Sequence, residues 1–323
     1  MGHDTGRQTL AVIVPCFNEE AVIDGFLAEL DRVLDSLADV ESSVIVIDDG
    51  STDSSLERLN ALAARNARLM VFSLSRNFGH QNALSAGLDV ADADAVIMMD
   101  GDLQHPPALI PDMVARWRAG IDVVSAIRLT TRDSTFLKRF TANAFYWIIN
   151  RISDVPIVAG AADFCLLSRR AHEALRAMPE RHRFLRGMVS WIGFPRAVVT
   201  FEAPARVAGD SKYTIAKMVG LAFDAVFAFS AAPMRLAAQV GLVLTALGSV
   251  YLAFVVGRFF IYRDLVRGWA SLASVLLILG GVQLAFIGLI GEYLARVFEQ
   301  VKGRPLYVFK QQPRAASRRG RPL

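Results

Sequence analysis

Over the first two-thirds of the chain, short apolar runs alternate with longer stretches of helical period. Runs rich in β-branched residues fall at Leu10–Val14, Ser43–Ile47, Leu69–Leu74, Ala95–Met99 and Val123–Ile127, each of a length that suits a buried strand. Between them, apolar residues recur at three- and four-residue spacing over Glu19–Leu37, Ser54–Arg65, Gln81–Val90 and Pro107–Arg118, which predicts helices. The alternation predicts an α/β domain with a Rossmann-like, mainly parallel sheet and helices on both faces. In such a sheet ligands gather at the carboxyl ends of the strands.

The pattern changes after residue 210. About 22 residues without a charge run from Leu236 to Gly257, and about 24 from Gly268 to Gly291. At 1.5 Å per residue each is long enough to cross a ~30 Å hydrocarbon layer, so two transmembrane helices are expected. Gly280, Gly281, Gly288 and Gly291 suit close helix packing, within one chain or between copies, and Tyr262 and Trp269 suit the interface. Ile215–Ala232 is apolar with Lys217 and Asp224 interrupting it, as in a helix lying along the bilayer surface or a plain connector. The expected domains are therefore 1–210 catalytic, 211–233 interfacial, 234–298 two spans and 299–323 a basic tail. An even number of crossings leaves both termini on one side. Arg296, Lys302, Arg304, Lys310, Arg314, Arg318, Arg319 and Arg321 make that side the cytoplasm. The expectation is a multi-pass protein of the inner membrane with its catalytic domain in the cytoplasm.

Composition sharpens this picture. Hydrophobic residues make up 53% of 323 residues and the mean hydropathy is +0.36, which excludes a disordered chain. The 35 Lys and Arg against 31 Asp and Glu leave a net charge of only +4, too small and too terminal for nucleic-acid binding. The two cysteines, Cys16 and Cys165, cannot form a disulfide framework and fit a reducing compartment. The polar start, Met1 to Gln8, does not read as a secretory signal.

Polar groups cluster where the first, second and fourth strands end. The first leads into Pro15-Cys16-Phe17-Asn18-Glu19-Glu20 and the second into Asp48-Asp49-Gly50-Ser51-Thr52-Asp53. Such groups suit a base edge and a ribose, or Asn18, Ser51 and Thr52 serve as helix caps. The dinucleotide and P-loop glycine patterns are missing. The fourth strand leads into Asp100-Gly101-Asp102-Leu103-Gln104-His105. Carboxylates at i and i+2 of an extended segment share a side and suit Mg²⁺ or Mn²⁺ bound with a diphosphate, or the segment is an acidic turn. His105 reads as a surface or turn histidine.

Together with Ser75-Arg76-Asn77-Phe78-Gly79, these strings resemble family 2 glycosyltransferases of the GT-A fold. The paired C-terminal spans are similar to the polyprenyl-phosphate branch, which includes dolichol-phosphate mannose synthases and bactoprenol glucosyltransferases. Further matches are Ala162-Asp163-Phe164, Phe184-Leu185-Arg186-Gly187, Arg206 through Tyr213, and Val301-Lys302-Gly303-Arg304-Pro305-Leu306-Tyr307. The resemblance implies donor-nucleotide contacts at Pro15, Asn18, Glu19, Asp48, Asp49, Ser51, Arg76 and Asp100. It implies a metal at Asp100, Asp102 and Gln104, catalytic roles for Asp102 and Asp163, and an acceptor-phosphate site at Arg128, Arg206, Ser211 and Lys212. Many members carry Arg where this chain has Ala203, so Arg128, Arg132 or Lys138 would supply the missing anion contact. The QxxRW signature of processive synthases is absent.

The implied activity is an inverting, metal-dependent transfer of a hexose from a nucleotide sugar, UDP-glucose first, to undecaprenyl or another polyprenyl phosphate. GDP-mannose as donor, a different acceptor, and a silent membrane scaffold of the same fold are the alternatives. A phosphate monoester has a second pKa of about 6 and is already ionised at neutral pH, so it needs alignment more than a base. The resemblance makes Asp163 the candidate base; on this chemistry it is expected either to serve so or to orient and act electrostatically.

Overall fold

A computed structural model of the chain describes residues 7–102, 104–128, 161–181, 183–201, 232–262 and 268–311. The segments expected to hold Arg132, Lys138, Arg206, Ser211, Lys212, the interfacial stretch and the last dozen residues lie outside them.

The described residues fall into two compact units, one holding those of 7–201 with 304–311, the other those of 232–303. The first is built on seven strands: β1 (Gln8–Cys16), β2 (Val40–Asp48), β3 (Leu69–Ser73), β4 (Ala95–Met98), β5 (Val123–Arg128), β6 (Ala161–Ser168) and β7 (Arg196–Phe201). Their order is β3-β2-β1-β4-β6-β5-β7. Only β6 runs against its neighbours, β4 and β5; the other pairings are parallel. This is the mixed α/β sheet of GT-A type that the resemblance implies.

Helices α1 (Ile23–Asp35), α2 (Ser55–Ala63), α3 (His80–Val90) and α4 (Ile110–Arg118) connect the early strands, and α5 (Arg169–Ala177) and α6 (Leu185–Trp191) follow β6. Ile23, Phe26, Leu27, Leu30 and Leu34 form the buried stripe of α1 at helical spacing. They join Leu10, Val12 and Val14 of β1 and Phe164 of β6 in one apolar core. Helix α3 lies so close to β1 that a Cβ at Gly87 would run into Ile13 Cγ2.

The sequence pattern places the start of α1 at Glu19, four residues early. The amides of Glu19 and Glu20 go instead to Ser55 Oγ and Asp53 Oδ2, at 2.8 and 3.3 Å. Residues 17–22 form a loop at the strand ends, tied there by these two bonds.

The second unit contains α7 (Ala232–Tyr262) and α8 (Trp269–Val301). Among the described residues, one stretch is long and apolar enough to cross a membrane: Leu279–Val301, 23 residues of mean hydropathy 1.3 with no buried share. It continues past Glu292 and Arg296, which pair with each other at 3.1 Å one helical turn apart. Within α7 the apolar stretch is shorter, Ala237–Tyr251. The two expected spans are thus represented by one span-length helix and one shorter apolar helix.

After α8 the chain contributes to the first unit again. Phe309 bridges Leu74 antiparallel, Ser75 N donates to Val308 O and Lys310 N to Ser73 O, both at 2.8 Å. Residues 308–310 of the basic tail therefore lie along the free edge of β3, joined to it by one antiparallel bridge.

Candidate active site

The carboxyl ends of β1 and β2 are held together by their loops. Asn18 N donates to Ser51 Oγ at 3.0 Å, and Thr52 N donates to Asn18 Oδ1 at 2.8 Å. Ser54 N donates to Glu20 Oε2 at 3.0 Å. Asn18 takes a φ of 57° to make these contacts, a region that Asn tolerates better than most residues. Neither Asn18 nor Ser51 caps a helix with its side chain; both bind across the gap between loops instead.

Asp48 is fully buried at the end of β2. Its Oδ1 accepts the Ser51 amide at 3.1 Å and its Oδ2 the Ser73 hydroxyl at 2.7 Å. Asp49 turns the other way and accepts the amides of Phe78 and Gly79 at 2.7 and 2.9 Å. Burial pushes its carboxyl up, and those two amide bonds work against that rise. Its role here is to hold the loop before α3. Gly50, at φ 68°, lets that loop pass: a Cβ would stand 2.5 Å from the Arg76 carbonyl carbon and 2.8 Å from Asn77 N. The Arg76 side chain is exposed, with Nη1 on Asn77 O at 2.9 Å and its guanidinium 4.2 Å from the Phe78 ring centre. Pro15 sits near the end of β1, where a missing N–H is tolerated. Burial, then the Asp48 and Glu19 carboxylates, push the Cys16 thiol up to about 12. Cys16 is a packing residue and not a nucleophile.

The β4 end carries the acidic centre. Asp100 N donates to His105 Nδ1 at 3.0 Å, which leaves the proton of a neutral ring on Nε2. His105 lies in the expected turn, but it is buried, its ring 5.4 Å from Phe164 at an interplanar angle of 27°. Asp100 Oδ1 is buried without a hydrogen-bond partner and stands 3.4 Å from His80 Nε2. Burial holds the Asp100 carboxyl above its usual range. Asp102 is exposed, with Oδ1 accepting the Gln104 amide at 3.1 Å.

Asp163 on β6 is gripped by Arg186 of α6 through Nε at 2.6 Å and Nη2 at 2.9 Å. His80 Nε2 lies 3.4 Å away, and Gln81 Nε2 donates at 3.5 Å. Burial pushes this carboxyl up, but hydrogen bonds from His80 and Arg186 outweigh it and hold the group well below the usual carboxylate range. Gln81 Oε1 also accepts the Leu185 amide at 2.9 Å, so the start of α3 ties Asp163 to the start of α6. Burial pulls His80 down, yet Asp163 and Asp100 raise it above its ordinary value. His80, Gln81 and Arg186 are the site residues that sequence reasoning did not single out. Arg186 lies inside a quoted motif, and His80 directly follows one.

Among the described residues no group of three His, Cys, Asp or Glu side chains is arranged to hold a metal. Two carboxylates, one with an orphaned buried oxygen, instead fit a hard divalent ion that takes its remaining ligands from a bound phosphate and water. Arg128 ends β5, and its side chain lies outside the described set.

The chain is similar to known glycosyltransferases. The profile of glycosyl transferase family 2 matches residues 11–176, and that of the GtrB C-terminal hairpin matches residues 232–297. An uncharacterized glycosyltransferase of Synechocystis is 39% identical over 93% of this chain and 94% of its own length. A prophage bactoprenol glucosyl transferase homolog of Escherichia coli is 38% identical over 94% of this chain and 98% of its own. The SfII prophage-derived bactoprenol glucosyl transferase of Shigella flexneri is 39% identical over the same shares, 94% and 98%.

Proposed function

We propose, from the premise that this glycosyltransferase belongs to glycosyl transferase family 2, that it moves a hexose from a nucleotide sugar to polyprenyl phosphate at the cytoplasmic face of a membrane. UDP-glucose is the donor of choice, given the relatives named bactoprenol glucosyl transferase along nearly their whole length. The observation that carries the reading is the acidic centre: the orphaned Asp100 Oδ1 at the end of β4, on the strand directly beside β1 and its loop.

The donor's base and ribose belong over the joined loops, with Pro15, Asn18, Glu19, Asp48 and Ser51 below and Arg76 beside them. Asp100, Asp102 and Gln104 are the residues to hold Mg²⁺ or Mn²⁺, which when bound neutralises charge on the departing diphosphate. The acceptor phosphate belongs to Arg128, Arg206, Ser211 and Lys212, where an Arg fork and a Lys point charge suit a phosphate group. One acceptor oxygen forms a bond to the anomeric carbon as the bond to the diphosphate breaks, and the configuration inverts. No proton need leave the acceptor, because phosphate is ionised at neutral pH. A carboxylate held as acidic as Asp163 is a poor proton acceptor. Its work is to fix Arg186 and His80 around the sugar.

Two membrane crossings by α7 and α8 complete the reading. Residues on both sides of the hairpin, 7–201 and 304–311, belong to the same folded unit, and a chain that leaves and returns to one side crosses an even number of times. The domains then run 1–210 catalytic, 211–233 interfacial, 234–298 spanning and 299–323 a basic tail. Confinement beside the bilayer raises the effective concentration of a lipid acceptor.

The test is direct. Purified protein, undecaprenyl phosphate, Mg²⁺ and a panel including UDP-glucose and GDP-mannose should yield an organic-soluble product of hexosyl mass. Chelation by EDTA or Asp102→Ala should abolish it with folding intact. Absence of product across the panel sinks the reading, and undiminished turnover in Asp102→Ala sinks the metal assignment.

A further inference from the structure

We propose that residues 307–310, which follow the helical hairpin, are a positioning clip for the loop at residues 75–79, the loop that carries Arg76. The inference deepens the donor site described above and rests on that reading for its kinetic consequence only.

The loop spans the gap between Ser73, where β3 ends, and His80, where α3 begins. The clip takes hold on both sides of that gap. On the strand side, Ser75 N donates to Val308 O and Lys310 N to Ser73 O, both at 2.8 Å, and Phe309 bridges Leu74. The Phe309 ring packs on Phe72 with centroids 6.0 Å apart. On the helix side, Tyr307 OH donates to Asp89 Oδ2 in the last turn of α3 at 2.6 Å. The other Asp89 oxygen faces Arg176 Nε of α5 at 3.6 Å. Tyr307 and Phe309 brace one another edge to face, with centroids 5.2 Å apart. Strand addition of this kind draws its strength from main-chain bonds.

Inside the gap, the loop already meets tight limits. Asp49 holds the amides of Phe78 and Gly79, and Gly50 lies directly under Arg76 and Asn77. Among the described residues, the Arg76 side chain makes the local contacts described above, so its direction follows from the backbone that bears it. The bonds at Ser73 and Ser75 set where that backbone starts, and the Tyr307–Asp89 bond holds the far end of the helix into which it runs. A plain edge cap would protect β3 from pairing with other chains without affecting residues 76–79.

Full-length protein in detergent or nanodiscs provides the test. Lys310→Pro removes the amide that reaches Ser73, Phe309→Ala removes the ring that packs on Phe72, and Phe309→Tyr is the conservative control. Hydrogen exchange should speed up at the amides of residues 75–79 by about tenfold or more in the first two variants. Exchange in α1 and α2 and the circular dichroism spectrum should stay as in wild type. In the transfer assay the KM for UDP-glucose should rise by about five- to tenfold with kcat within about twofold, and Phe309→Tyr should behave as wild type. Unchanged exchange at residues 75–79 overturns the proposal whether or not the wild type turns over UDP-glucose. So does a fall in kcat with the donor KM unmoved. If the wild type forms no product with any donor, the functional reading fails, and exchange alone decides the clip.

Discussion

Arg186 holds Asp163 with two nitrogens, Nε at 2.6 Å and Nη2 at 2.9 Å, while only 8% of the Asp163 side chain reaches solvent. A buried carboxylate that loses such a partner keeps its desolvation cost. Arg186→Ala should destabilise the protein by about 2 kcal/mol, the usual cost reduced because the guanidinium is a third exposed. Arg186→Lys, which keeps the charge and loses the fork, should recover about half of that. Thermal melts of the two variants decide it, and equal melting points would refute the paired geometry. The folded Asp163 pKa lies below its ordinary 3.8. The stability from this pair is therefore present at any pH above that value and is lost only in stronger acid. It should not vary between pH 5 and 8.

His80 behaves the opposite way. It lies 3.4 Å from both Asp100 and Asp163 and also feels Arg186, and its net shift is upward from 6.5. The stability it adds as a cation is complete below pH 6.5 and is lost as pH rises through the higher folded value. Metal-free protein should therefore melt at lower temperature at pH 8 than at pH 6, with part of that slope absent in His80→Gln. Parallel melting profiles for the two proteins would exclude the histidine as its source.

Asp100 trades stability for chemistry. Its unpartnered Oδ1 and raised pKa mark a carboxylate held where its charge is disfavoured. Asp100→Asn should raise the stability of the ligand-free protein by about 1 kcal/mol, and it should lose nearly all transfer. Urea unfolding and the product assay measure the two effects. A destabilised variant would mean that the negative charge is already compensated by His80, 3.4 Å from Oδ1.

Gly50 is the tightest point under the donor loop. At φ 68°, a side chain there is strained and would also press on the Arg76 backbone. Gly50→Ala should cost about 2 kcal/mol and weaken nucleotide binding more than acceptor use. A variant that binds UDP like wild type would show that the loop tolerates displacement.

The parallel core was readable because Val- and Ile-rich runs at the start of the chain have no other use than burial, as Leu10 to Val14 show. The polar loops at the ends of β1, β2 and β4 were readable for a related reason: clustered Asp, Asn and Gly disfavour continuing a strand. What the polar side chains do there was less legible. Asn18 and Ser51 look like helix caps in one dimension, and only the adjacency of β1 and β2 reveals that they bind one another. Arg186 and His80 meet Asp163 across 23 and 83 positions of sequence, a pairing that depends on β6 running antiparallel. The helix starts at Ile23 and not at Glu19, because residues 17–22 form a loop bonded to residues that follow the neighbouring strand. The apolar stretch at Leu279–Val301 carries Glu292 and Arg296 in its length, charges at which a search for charge-free runs stops. The edge segment at residues 307–310 carries no signal of its own, since three or four residues read as a strand only beside an edge that needs one.

That last segment also bears on the order of assembly. Its residues leave the ribosome only after both hydrophobic helices have been made. Until then β3 remains an open border and the loop bearing Arg76 lacks one of its anchors. The edge of the sheet is therefore closed by a segment that arrives after the apolar hairpin.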